Sequence, residues 1–275
     1  TVVSNEKLLE TVSDYNFSKK EFFSFSTSDG SDLNGWMIKP PDFDPTKKYP
    51  VLMYVYGGPG SQTVRNSWGG GNTWYQMLAQ KGLIIVSVDN RGTGSRGEEF
   101  KKMTYLQLGK YETIDQVEAA KYLGSLDYVD NNRIGIWGWS YGGYMSTSCL
   151  AKGADNFSMA IAVAPVTNWR YYDNIYTERF MRTPQENPEG YDENSPINHV
   201  DKIKGKLLLI HGTADDNVHV QNSVDLVSAL VDANVQFDMQ FYPNSNHGIY
   251  SGKNTSFHLY TRMTEFILDN LVKEE

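Results

Sequence analysis

The stretches YPVLMYVYGG, GLIIVSVDNRG, RIGIWGW, FSMAIAVAPV and KLLLIHG are apolar almost without interruption, and they constrain the fold more than any other feature of the chain. A strand with one wet face alternates apolar and polar residues, whereas a continuous run fits a strand covered on both faces. Helix-spaced segments separate these runs. They predict a helix near 73–81, one through Ile114, Val117, Ala120 and Tyr122, one after Ser140 to about Lys152, one from about Val218 to Val231, and one from about Ser256 to Leu271. EFFSFST and LNGWMIKP flank the turn-rich SDGSD and read as a hairpin, and VQFDMQFYP adds a further strand. This alternation predicts an α/β fold, a mainly parallel sheet with helices on both faces. No repeat or low-complexity linker divides the 275 residues, so one domain over 21–275 is expected, with 1–20 as a charged N-terminal extension. The irregular segment 166–200, rich in Tyr, Asn, Pro and Glu, is expected to pass over one edge of the sheet.

Charge and composition narrow the function. With 25 Lys and Arg against 33 Asp and Glu the net charge is −8, and no basic block interrupts it. That argues against nucleic acid or an anionic membrane surface as the main partner. No apolar run reaches the roughly 18 residues of a spanning helix, and the first residues show no n-region/h-region pair of the secretory kind. The first residue is Thr rather than Met, so a mature or excised piece is expected. Cys149 is the only cysteine, which excludes an internal disulfide. No metal or other cofactor is expected: His-Glu-x-x-His and a zinc-type cysteine pair are absent, and TADDN reads as catalytic or solvated rather than as a calcium loop. GTGSRG at 92–97 matches the dinucleotide fingerprint, but helical spacing resumes only about fifteen residues later, leaving no helix N-terminus for a pyrophosphate. GGPGSQ lacks the Lys-Ser/Thr pair that closes a phosphate loop.

RIGIWGWSYGGYMS carries the chemistry. A lone hydroxyl, Ser140, sits among Gly138, Gly142 and Gly143 between a buried strand and a helix, the pattern of a nucleophile elbow. Serine is a poor nucleophile without a base, and the base needs an orienting acid; on this fold they follow in the order Ser, Asp or Glu, His. His219, His247 and His258 follow a suitable acid. His219 falls at a predicted helix start and His258 inside the last helix. His247, in YPNSNHGIY, lies just past the carboxyl end of a strand, where open α/β sheets place their sites. Asp215 in LLLIHGTADDN lies just past the preceding strand, with Asp216 beside it as the alternative.

GWSYGGY, HGTADDNVH, YYDNIYTERFM and NHGIY together resemble the dipeptidyl peptidase IV branch of the prolyl oligopeptidase family of serine peptidases, bacterial members above all, from about residue 20 to the end. The resemblance implies an α/β-hydrolase fold, release of N-terminal dipeptides with Pro or Ala in the penultimate position, a homodimer, and a periplasmic or extracellular location. It implies Ser140 as nucleophile, Asp215 rather than Asp216 as orienter and His247 as base. The Tyr56 hydroxyl and the Tyr141 N–H would form the oxyanion hole. Tyr141, Val166, Trp169, Tyr172, Tyr176 and Val218 would line the proline pocket, and Asn217 would bond the substrate carbonyl between the two N-terminal residues. An aromatic slot suits a flat apolar ring, though WRYYDNIY also reads as an ordinary amphipathic helix. The family's β-propeller, whose paired glutamates grip the free amine, is missing from this sequence and is expected on another segment of the parent chain. Alternatives are another hydrolase on the same fold (a prolyl endopeptidase, an acylaminoacyl peptidase or an esterase) or a hydrolase-fold binding module without chemistry.

Overall fold

In the computed structural model, which describes residues 4–68 and 73–273, the apolar runs lie side by side in an eight-stranded sheet. The elements follow as α1 (Glu6–Ser13), β1 (Lys20–Ser26), β2 (Asp32–Ile38), β3 (Tyr49–Tyr54), α2 (Thr73–Gln80), β4 (Ile84–Asp89), α3 (Glu98–Lys102), α4 (Lys110–Gly124) and β5 (Val129–Trp139). Then come α5 (Tyr141–Lys152), β6 (Met159–Val163), α6 (Asn174–Met181), α7 (Pro188–Glu193), β7 (Lys206–Gly212), α8 (Gln221–Asp232), β8 (Asp238–Tyr242) and α9 (Thr255–Ile267). The strand order is β1-β2-β4-β3-β5-β6-β7-β8. β1 and β2 form the expected hairpin, with Lys20 opposite Ile38 and Ser26 opposite Asp32. β2 runs antiparallel to β4, and every pairing from β4 to β8 is parallel.

Why the inner strands do not alternate is plain from their packing. Val51, Met53, Val86, Ile136, Ala160 and Leu209 share one core with residues of α4, α5 and α8. Leu52, Ile85, Trp137, Ile161 and Leu208 point the other way, into a second core with Leu78 of α2 and Met263 of α9. Both faces are dry, so both faces are apolar. This mostly parallel sheet between helical layers is the α/β-hydrolase architecture. The connection from β3 leads one way along the sheet and that from β5 leads the other, so their carboxyl ends meet at the topological switch point, where such sheets place ligands.

Four expectations need correction. The helix predicted from Val218 begins at Gln221, because Asp215 Oδ1 accepts the N–H groups of Asn217 (3.0 Å) and Val218 (2.9 Å) and holds that stretch as a turn. The last helix is α-helical only to Ile267 and continues as a π-helical turn over Leu268–Val272. Segment 166–200 does not cross a sheet edge; it packs on α5 and the loop before α4. The Leu106 N–H donates to Phe180 O (2.8 Å) and the Tyr144 hydroxyl to Asn194 O (2.8 Å), which ties it there. Finally, a helix does follow GTGSRG at once: α3 starts at Glu98. Its first turn carries Glu98 and Glu99, which would repel a pyrophosphate.

Candidate active site

β5 delivers Ser140 to the switch point in a backbone conformation of φ 60°, ψ −117°. A non-glycine residue adopts this only where surrounding structure enforces it. Here the Ser140 N–H donates to Val163 O of β6 (2.8 Å), and its carbonyl accepts the Tyr144 N–H in the first turn of α5 (3.0 Å). The turn is so tight that a methyl group on Gly138 would lie 2.5 Å from Val55 O, and one on Gly142 would collide with the same oxygen. Close backbone approach, more than chain flexibility, explains the glycines of the motif. The side chain of Ser140 stays half-exposed at the start of α5, where the unpaired N–H groups of the first turn collect.

β7 and β8 supply the other two groups. Past β7, Asp215 is buried and Asp216 exposed, and His247 Nδ1 meets Asp215 Oδ2 at 2.7 Å. His247 follows β8 on a loop pinned to the elbow: the Trp139 indole N–H donates to His247 O at 2.9 Å. Burial pushes the Asp215 pKa up, but hydrogen bonds from His211 and His247, the His247 charge and the Asn217 N–H more than offset it and hold the carboxyl below its ordinary range. Asp215 is therefore an anion at neutral pH. Among the described residues no hydrogen bond joins Ser140 Oγ to His247; such contacts often tighten only with substrate in place. His219 and His258 are exposed, and His258 Nδ1 instead meets the Tyr242 hydroxyl at 2.8 Å.

The other sequence-predicted residues lie just past the carboxyl ends of β3, β5, β6 and β7 and in the segment around α6. Tyr56 follows β3, its ring 6.1 Å from that of Tyr141, and among the described residues no hydrogen bond occupies its hydroxyl. Burial raises its phenol pKa, which keeps the proton on as a donor. Tyr141, Val166, Trp169 and Val218 are buried in the same core, with Tyr172 and Tyr176 packed on its rim. Trp169 stacks on Tyr176 (5.9 Å) and meets Tyr172 edge-on (5.9 Å). WRYYDNIY is not one helix: Trp169–Tyr171 is a 3₁₀ turn, and α6 begins at Asn174 after Asp173 caps it through the Tyr176 N–H (2.8 Å). The Tyr172 hydroxyl donates to Asn217 Oδ1 (2.7 Å), and among the described residues the Asn217 Nδ2 donors have no hydrogen-bond partner.

Two residues with a hand in this site escaped the sequence reading. His211, inside β7, reaches Asp215, and Glu112, in the first turn of α4, accepts the Tyr141 hydroxyl at 2.7 Å. A separate cleft of about 1200 Å³, lined among others by Trp36, Tyr54, Trp137 and Trp139, contains none of the residues named from the sequence as site residues. No group of three or more His, Cys, Asp and Glu side chains suited to a metal occurs among the described residues.

Sequence comparison decides the ancestry. The profile of the prolyl oligopeptidase family matches residues 72–274. The chain belongs to that family. Among members of known name, it is 44% identical over 275 residues to the probable dipeptidyl-aminopeptidase B of Paracoccidioides brasiliensis (strain Pb18), covering 98% of this chain and 30% of that one. It is 47% identical over 235 residues to the prolyl endopeptidase FAP of Mus musculus, covering 84% and 30%. The crystal structure of Porphyromonas gingivalis dipeptidyl peptidase 4 superimposes with a TM-score of 0.93 at 50% identity, over 98% of this chain and 38% of that one. The chain thus spans about a third of the length of these family members. No helix among the described residues is long and apolar enough to cross a membrane.

Proposed function

We propose that this chain carries the catalytic centre of a serine exopeptidase that releases N-terminal dipeptides with Pro or Ala in the penultimate position. The observation that supports it most is the convergence of three strand ends: the strained elbow at Ser140, the His247 loop bonded to it through Trp139, and the Asp215–His247 pair at 2.7 Å. In this reading Ser140 Oγ attacks the carbonyl carbon of the penultimate residue while His247 Nε2 takes the hydroxyl proton. The carbonyl oxygen becomes an oxyanion and accepts hydrogen bonds from the Tyr141 N–H and the Tyr56 hydroxyl. His247 passes its proton to the departing amine as the C–N bond breaks, leaving an acyl-enzyme. Water, deprotonated by the same imidazole, then releases the dipeptide. Asp215 stays ionised throughout and stabilises the imidazolium.

Specificity in this reading comes from Tyr141, Val166, Trp169, Tyr172, Tyr176 and Val218, which offer a flat aromatic slot to a proline ring. Asn217 donates through Nδ2 to the preceding carbonyl, its Oδ1 being taken by Tyr172. Recognition of the free amine we assign to the β-propeller of the parent protein, and the assembly to a homodimer in a periplasmic or extracellular setting. Turnover of Gly-Pro, acyl-Ala and blocked internal-Pro chromogenic substrates by the full-length protein tests the assignment. Preference for the first supports it; preference for either of the others points to an acylaminoacyl peptidase or a prolyl endopeptidase.

A further inference from the structure

Glu112 is an anomaly that the reaction above does not use. It is wholly buried, Oε1 accepts the Tyr141 hydroxyl at 2.7 Å, and Oε2 has no hydrogen-bond partner. Among the described residues no cation pairs with it. Arg91, a buried guanidinium, is spent on Asp115 and Asp29. A buried polar group left half-paired is costly, and an apolar pair of the same shape would often be as stable. The Gly109 N–H at the head of α4 offsets only part of that cost, so a carboxyl kept here calls for a further reason.

Its surroundings supply one. Tyr141 and Tyr144, one turn apart at the start of α5, both reach back to the same short stretch before and within α4. Tyr141 bonds Glu112, and the Tyr144 hydroxyl bonds Leu108 O (2.8 Å). The backbone makes room for this: Gly109 has φ 90°, and any side chain there would run into the Tyr144 hydroxyl. Trp169 rests on both rings, 5.2 Å from each, and Tyr176 stacks on Trp169. The order of support runs from Glu112 to Tyr141 to Trp169 to Tyr176, from the hidden carboxyl out to the rim of the slot.

We propose that Glu112 is a specificity-determining positioning residue, which by accepting the Tyr141 hydroxyl locks the ring flooring the slot and so preforms the slot for a five-membered ring. The proposal rests on the function proposed above. Locking a ring before binding removes an ordering cost from the substrate that fills the slot best, and does so without touching the reacting atoms. Proline gains more than alanine, which contacts less of the floor.

The test compares Glu112→Leu and Glu112→Gln in the full-length protein, with Gly-Pro and Gly-Ala p-nitroanilides and a small fluorophosphonate that lacks proline. Glu112→Leu should raise KM for Gly-Pro and lower the Pro-over-Ala preference, each about tenfold, the loss of one hydrogen bond, while kcat and the labelling rate move less than about threefold. Glu112→Gln, whose amide oxygen still accepts from Tyr141, should restore the preference. If Glu112→Leu does not fold, Tyr141→Phe removes only the hydroxyl and should show the same loss. The proposal is overturned if the preference survives in Glu112→Leu or Tyr141→Phe, if Glu112→Gln loses as much as Glu112→Leu, or if kcat and labelling fall with KM unmoved. Should the wild type cleave neither dipeptide substrate, the functional reading fails by itself. Glu112 is then judged by Gly-Pro protection against labelling, which Glu112→Leu should weaken about tenfold; unchanged protection would overturn it.

Discussion

His211 Nε2 lies 3.2 Å from Asp215 Oδ2, the same carboxylate oxygen that His247 Nδ1 meets at 2.7 Å. Nε2 also faces Val218 O at 2.8 Å, so both of its neighbours are acceptors and the ring proton must sit there. Nδ1 then accepts the Ser223 hydroxyl at 2.6 Å. The one Nε2 proton is shared between Val218 O and the more distant Asp215 Oδ2, so the carboxylate is held chiefly by His247 and two backbone N–H groups, with His211 as a weaker third support.

Removing that second imidazole should slow turnover without abolishing it. His211→Phe removes the longer arm of a shared hydrogen bond to a charged acceptor, and kcat for a Gly-Pro chromogenic substrate is expected to fall by up to roughly tenfold, with His211→Gln falling less. A His211→Phe protein with wild-type kcat would show that Asp215 needs no such support.

Asp215→Ala and Asp216→Ala should separate widely. Loss of the buried partner of His247 leaves the imidazole free to take the wrong tautomer, an effect on the order of 10⁴ in kcat for serine peptidases. Asp216 is exposed and makes no bond to His247, so its loss should cost little. Equal kcat losses in the two variants would mean that loop order, rather than the pair, governs turnover.

Tyr56→Phe removes a hydroxyl and almost no volume. If that hydroxyl donates to the developing oxyanion, kcat should drop roughly 10²- to 10³-fold with KM little changed, because the bond matters most when charge appears. Near-wild-type kinetics in the full-length protein would remove Tyr56 from the oxyanion hole.

Stability should carry the mark of Glu112. Burial, opposed by the Gly109 N–H and the Tyr141 hydroxyl and aided by the Asp115 charge, pushes its pKa up to about 7. The Tyr144 phenol on α5 is near enough to feel the same charge. The unfolded chain releases this proton near pH 4.3, so the folded state is favoured by it at lower pH, and that advantage is lost as pH rises towards 7. The Tm of wild type relative to Glu112→Gln is expected to fall between about pH 4.5 and 7 and then to level. A difference that stays flat over this range would show that Glu112 is already ionised when folded.

Much of this was legible in the residues, for physical reasons that differ from element to element. β3, β4 and β5 announce themselves because both faces are dry, and Ser140 because only glycines permit the approach of Val55 O to the elbow. His211 was hidden for the opposite reason: within LLLIHG it looks like one more buried strand residue, and only folding turns it towards an aspartate four residues on. Glu112 looks like an ordinary polar position on a helix, since nothing local records that Tyr141 closes over it. The start of α8 moved because a side-chain bond from Asp215 competed with helix formation, a contest that spacing alone cannot score.

The central claim is that Ser140 is the nucleophile, activated by His247 and Asp215. It is tested most directly by incubating the full-length protein with a fluorophosphonate and locating the adduct by peptide mass spectrometry. One adduct per chain is expected, on Ser140, absent from Ser140→Ala while the Tm of that variant stays close to wild type. Labelling that persists in Ser140→Ala, or an adduct on any other residue, would contradict it.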